Sequence, residues 1–191
     1  MPAATLVRSA RSASGLTQVE LSARSGVAQS SLSQIESGER VPTWTTIERL
    51  LRAAGWTVIS IPTRRADTAA VAVEIKQSLA DDDTAAAVRH FIQLADDLAA
   101  ESDDLRFALT LSDPPPTGSA EWDAALAGLV EYRLGQQSLP LPRWVRNPGR
   151  RLERPWTFGS GRYDVDVPRD RVPREFLDRG VLIDRETLES V

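Results

Sequence analysis

The sequence predicts a mostly α-helical chain in three parts. These are a compact helical domain over residues 1–62, a helical connector over 63–113 and a small α+β domain over 114–191. Three observations carry that reading. Apolar residues recur at helical spacing through the first part, with glycines punctuating them. Two alanine-rich helical stretches follow the Arg64-Arg65-Ala66-Asp67 hinge. Beyond them Asp113-Pro114-Pro115-Pro116-Thr117-Gly118 cannot continue a helix and reads as a semi-rigid spacer.

The elements follow in order. Leu6, Val7 and Ala10 place a helix over 3–14, stopped by Gly15. Thr17 caps a second helix, Gln18–Ser25, and Glu20 three residues later completes a capping box. Gly26 ends it. A third helix runs from Gln29 to Ser37 and stops at Gly38, and Thr43 caps a fourth from Trp44 to Ala54. Trp56-Thr57-Val58-Ile59-Ser60-Ile61 is β-rich and reads as a short strand. Helices are expected over 68–80, 83–100 and 103–111, then from Ser119 or Glu121 to Leu134. Residues 139–172 read as irregular. The end reads as a short helix, a strand at Val181-Leu182-Ile183 and a final helical turn.

Composition narrows the chemistry. A chain of 191 residues suffices for one ordinary domain or two small ones. No stretch approaches the ~18 apolar residues of a membrane helix, and Met1-Pro2-Ala3-Ala4-Thr5 lacks a signal peptide's basic patch. Cysteine is absent, which removes disulfides, thiolate nucleophiles and sulfur metal sites. The expectation is a cytoplasmic protein with no membrane partner. The net charge of −4 hides a division: residues 1–65 carry eight arginines against four acidic residues, and residues 66–118 three basic against eleven acidic. Only the first segment has an excess of the positive charge that a phosphate-binding surface needs.

Leu16-Thr17-Gln18, Ser25-Gly26-Val27 and Ile35-Glu36-Ser37-Gly38 stand in one register. Leu21, Val27, Leu32 and Ile35 would hold two helices together across the turn at Gly26. Residues 16–38 resemble the repressor-type, Xre-like (lambda-repressor-like) helix-turn-helix family. The resemblance implies a five-element DNA-binding domain that includes a short dimerisation strand. It implies that Gln29, Ser30 and Gln34 read bases; Ser33 completes the polar face of the third helix. Glutamine bonds bidentately to adenine in the major groove, and serine serves several bases. The same resemblance implies that Gln18 touches a phosphate and that Arg11 and Glu36 form a structural ion pair. One departure is Ala28, where the family often has a capping Ser or Thr. Arg40 and the amino end of the fourth helix, Thr43 and Trp44, should meet the DNA backbone.

One recognition helix reads too few base pairs for useful specificity, so a homodimer on a palindromic double-stranded DNA operator is expected. In some members of the resembling family, DNA-binding antitoxins among them, a strand after the fourth helix pairs with its symmetry mate. Here Trp56, Val58, Ile59 and Ile61 would form it; an intrachain edge strand or packed tail is the alternative.

The rest of the chain offers no catalytic constellation. His90 is the only histidine, so no His-based triad or histidine metal cluster can be built, and neither an enzyme nor a cofactor is expected. Arg143, Arg146, Arg150, Arg151 and Arg154 surround Trp144 and Trp156, a mixture that suits nucleic acid, an acidic protein face or a solvated loop. Residues 119–189 look like a domain that accompanies this helix-turn-helix in antitoxins of toxin–antitoxin systems, notably beside nucleotidyltransferase-type toxins. That resemblance implies a cognate toxin as partner. A stand-alone repressor sensing a small molecule is the alternative, and an enzyme with an appended helix-turn-helix a more distant one.

Overall fold

The computed structural model describes residues 3–159 and 167–189. The chain divides into two units, residues 1–64 with 112–114, and residues 65–111 with 115–191.

The first unit is built on α1 (Ala3–Ala13), α2 (Gln18–Ser25), α3 (Gln29–Ser37) and α4 (Trp44–Ala53). Each boundary has a local cause. Thr17 and Glu20 form a reciprocal capping box, with Glu20 N–H donating to Thr17 Oγ1 (3.2 Å) and Thr17 N–H to Glu20 Oε2 (2.7 Å). The Thr17 N–H, and the Thr17 hydroxyl donating to the same Oε2 (2.8 Å), hold the exposed Glu20 carboxyl below its ordinary pKa. Gly26 ends α2 at φ 68°, in the left-handed region. The space around it is open, so a side chain there would be opposed by the backbone and not by crowding. Val7, Ala10, Leu16, Leu21, Val27, Leu32, Ile35, Leu50 and Leu51 belong to the buried core, to which every helix contributes one stripe.

After α4, residues 56–61 are expected to form a strand paired with a second copy. Among the described residues, none pairs as a strand with residues 56–61. Trp56 is half-buried on the core, donating its backbone N–H to Leu51 O (2.8 Å) and Nε1 to Ser14 Oγ (3.1 Å). It closes the domain by packing. A β-ladder needs a second strand. Without one, Val58 and Ile59 stand exposed, Ile59 at 72%.

The second unit holds α5 (Thr68–Ala80), α6 (Thr84–Ala100), α7 (Asp103–Thr110), α8 (Ala120–Gly135), β1 (Trp156–Thr157), α9 (Arg174–Leu177), β2 (Val181–Leu182) and α10 (Arg185–Leu188). A division between the units falls between Pro114 and Pro115, and the stretch read as a connector, 65–111, shares a core with the C-terminal part. Ile75 of α5 and Phe91, Leu94 and Leu98 of α6 share one core with Leu126 and Leu129 of α8, Phe176, Val181 and Leu188. Small residues at Ala69, Ala72, Ala87 and Ala95 sit fully buried on α5 and α6, where they permit close helix approach. Pro114 and Pro115 are buried and so make no free spacer. The helix α8 is buried nearly all round, from Trp122 through Leu134, as befits a central element.

The stretch expected to be irregular contains 3-10 turns at Arg143–Arg146, Pro148–Arg150 and Arg169–Arg171, and also β1. β1 pairs in parallel with β2, Trp156 opposite Val181 and Thr157 opposite Leu182. Trp144 and Trp156 pack inward. Trp144 is buried and donates Nε1 to Thr110 O (2.8 Å), and half-buried Trp156 joins Trp122, Phe91 and Phe158 in an aromatic cluster. Among the described residues no helix is long and apolar enough to cross a membrane.

Candidate nucleic-acid interface

The helix α3 has two unlike faces. Leu32, Ile35 and Glu36 are buried, while Gln29, Ser30, Ser33 and Gln34 are exposed. The exposed four form two i, i+4 pairs, so their uncharged hydrogen-bonding groups line one side of the helix. Nine residues make a rod of about 13 Å at ~1.5 Å per residue. An α-helix enters the ~12 Å major groove, where amide and hydroxyl groups meet base edges.

The orientation of α3 is held from behind. Arg11 Nε and Nη2 donate to Glu36 Oε1 and Oε2 at 2.7 and 2.9 Å, and Arg11 Nη1 donates to Leu16 O at 2.9 Å. Gln18 Nε2 adds a third bond to Glu36, at Oε2 (2.9 Å). One N–H of the Gln18 amide is thus committed to this network, which leaves its other N–H and the main-chain N–H in the first turn of α2 as donors.

A basic corner lies at the other end of α3. Arg40 is exposed, with Nη1 donating to Ser31 Oγ (3.0 Å) and its backbone N–H to Gln34 O (3.0 Å). Thr43 caps α4 by accepting from Thr46 N–H, and the Thr43 and Thr46 hydroxyls are 2.9 Å apart. Trp44 beside them is 60% exposed. Arg40, Thr43, Thr46, Ser31, Ala28 and Arg49 help line a cleft of about 240 Å³. Ala28 provides no side-chain cap, so the amino end of α3 opens beside that cleft. Two guanidinium groups, hydroxyls and an uncapped helix start together make an environment for a phosphate oxygen.

Arg49 escaped the sequence reading. Its signal was present, since Arg49 falls three positions after Thr46 and six after Thr43, on one face of α4. Of the residues read as a dimer strand, Val58 and Ile59 are exposed, and Trp56 and Ile61 are half-buried. A single chain places these four on one segment and, among the described residues, pairs them with no second strand.

Four helices in this register, with a polar helix face and a basic corner, define a DNA-binding domain of the helix-turn-helix class. Residues 3–58 match the family model of the helix-turn-helix domain, consistent with the repressor-type, Xre-like family. No curated protein and no solved structure matches the chain. The chain carries the DNA-binding domain of a regulator within a mostly helical fold that has a small strand pair near its C-terminus.

Proposed function

We propose that the chain is an autoregulating transcriptional repressor that binds a palindromic operator as a homodimer and acts as the antitoxin of a toxin–antitoxin pair. The observation that carries sequence-specific binding is the division of α3, with Gln29, Ser30, Ser33 and Gln34 outward and Leu32 and Ile35 locked in the core. Support for dimerisation comes from the exposed segment at Val58 and Ile59, which a second copy can complete as a ladder. The second unit serves partner binding, not catalysis. Its net-acidic segment 66–118 complements a basic toxin surface. The test is co-purification from the native host together with footprinting upstream of the chain's own gene. A protected palindrome there, with a toxin bound to the full chain, supports the reading. A footprint only at distant genes, with no protein partner, overturns the antitoxin half of it.

A second reading, a repressor that senses a small molecule, is favoured by one feature. The second unit has a cleft of about 660 Å³ lined by Arg65, Asp96, Ala99, Ala100, Arg133, Leu188 and Glu189. Arg133 is buried and donates to the Ala95 and Leu188 carbonyls at 3.1 and 2.6 Å. Desolvation lowers its pKa from the ordinary arginine value. A metabolite that raises the melting temperature of the full chain and releases operator DNA would replace the toxin as the partner.

A further inference from the structure

We propose that residues 143–154 of the second unit form a second contact for the DNA backbone, taking duplex phosphates on Arg146, Arg151 and Arg154. The proposal rests on the operator-binding reading only in taking duplex DNA as the anion at hand.

Residues 142–154 hold five arginines against one acidic residue, Glu153. The structure sorts these arginines. Arg150 is buried and stacks over the Trp144 ring at 4.8 Å, whereas Arg146, Arg151 and Arg154 are exposed. Three other exposed arginines of the unit have carboxylate partners. Arg89 faces Asp83 at 3.8 Å, Arg171 faces Asp184 at 3.4 Å and Arg174 faces Asp178 at 3.5 Å. Arg169 and Arg185 stand next to Asp170 and Glu186 in the chain. Among the described residues no ion pair holds Arg146, Arg151 or Arg154. Arg151 Nη1 donates to the Asp178 carbonyl at 3.3 Å, a bond that leaves its charge unmatched.

The loop is built before any partner arrives. Asn147 Oδ1 accepts from Gly149 N–H (3.0 Å), Leu152 N–H donates to Arg179 O (2.9 Å), and buried Trp144 and Val145 anchor the first turn. A fixed backbone removes much of the ordering cost that weakens loop contacts. Trp144 and Trp156 are taken up by the core and aromatic cluster, so the loop has no platform for stacking unpaired bases. What it offers is guanidinium forks, which suit phosphate oxygens. Residues 66–118 carry a large negative excess, whereas this loop carries a positive one that attracts phosphates.

The experiment uses the full chain and a random-sequence duplex of about 40 base pairs, roughly four helical turns. Binding is followed as a function of salt for wild type, for Arg146→Gln/Arg151→Gln/Arg154→Gln and for the corresponding triple lysine variant. The glutamine triple should flatten the slope of log affinity against log salt by about two to three units, at ~0.9 per phosphate. The lysine triple should keep the wild-type slope, because it keeps the charges. A wild-type slope in the glutamine triple overturns the proposal. So does the loss of a bound acidic protein from that triple with the slope unchanged, which would make the loop a protein contact. Gln29→Ala/Gln34→Ala separates the two claims. If that pair leaves base preference intact while the arginine triple flattens the slope, the operator reading fails and the loop contact stands.

Discussion

Arg11 and Glu36, on α1 and α3, meet through two parallel hydrogen bonds, with the Glu36 carboxylate almost completely removed from water. The pair fixes the angle at which α3 presents its outer face, since a fork-to-fork contact tolerates little rotation. Arg11→Ala should therefore cost about 3 kcal/mol of stability, the lower end for a broken buried pair, because Arg11 itself is partly wet. Glu36→Gln, which keeps the shape and removes the charge, should cost less. Urea unfolding of both variants checks the order; equal losses would mean that shape alone holds the two helices.

Base readout is the second expectation. Gln29→Ala or Gln34→Ala should weaken operator binding by ~1–3 kcal/mol and relax preference at one position per half-site. Their melting temperatures should stay near wild type, because both side chains are exposed. A selection from random duplexes that returns the wild-type motif for both variants would exclude them as readers.

Backbone contacts should behave differently. Arg40→Ala and Arg49→Ala are each expected to weaken specific and random DNA alike and to flatten the salt slope by about one unit. A variant that loses sequence preference with its slope intact is instead reading bases. Arg40→Ala also frees Ser31 Oγ, so the double variant with Ser31→Ala separates an effect on α3 from an effect on DNA.

The segment after α4 gives a test of assembly. Proline at Val58 or Ile59 removes a backbone donor from any ladder between two copies. Neither position is needed for the core, so the domain should remain helical while the dimer weakens and operator binding falls. An unchanged sedimentation profile would transfer the interface to another surface.

Where the chain is cut should matter. A fragment 1–64 holds the whole helix-turn-helix core and should keep operator preference at reduced affinity. A fragment beginning near Gly118 lacks Ile75, Phe91, Leu94 and Leu98, which share a core with α8, and should fail to give a cooperative melt. A fragment 65–191 should melt cooperatively and carry partner binding. Loss of partner binding from that fragment would assign the partner to the first unit.

Much of this was legible in the sequence where the cause is local. Thr17 with Glu20, Gly26, Gly38 and Thr43 mark the ends of α2, α3 and α4 because caps act within three or four residues. The polar face of α3 was legible for the same reason, since helix periodicity is a local property. What was not legible depends on distant partners. Trp56 sits in a β-rich run, and that its indole finds Ser14 just past α1 is a matter of packing that local propensity does not carry. The α5–α7 stretch looked like a connector because alanine carries little amphipathic signal, although Ala72 and Ala95 are fully buried. β1 is two residues long and owes its existence to Val181 and Leu182, far along the chain.

The all-round burial of α8 has a consequence in time. As the chain leaves the ribosome, the first unit has its whole four-helix core once residue 64 is free, and it can fold at once. The second cannot. Its central helix needs α5 and α6 as well as Phe176, Val181 and Leu188, so its apolar surface stays uncovered until residue 188 has been made. During each round of synthesis a folded DNA-binding head precedes a body still open to chaperones and proteases. The last stretch to be made is thus the one that closes the core of the body.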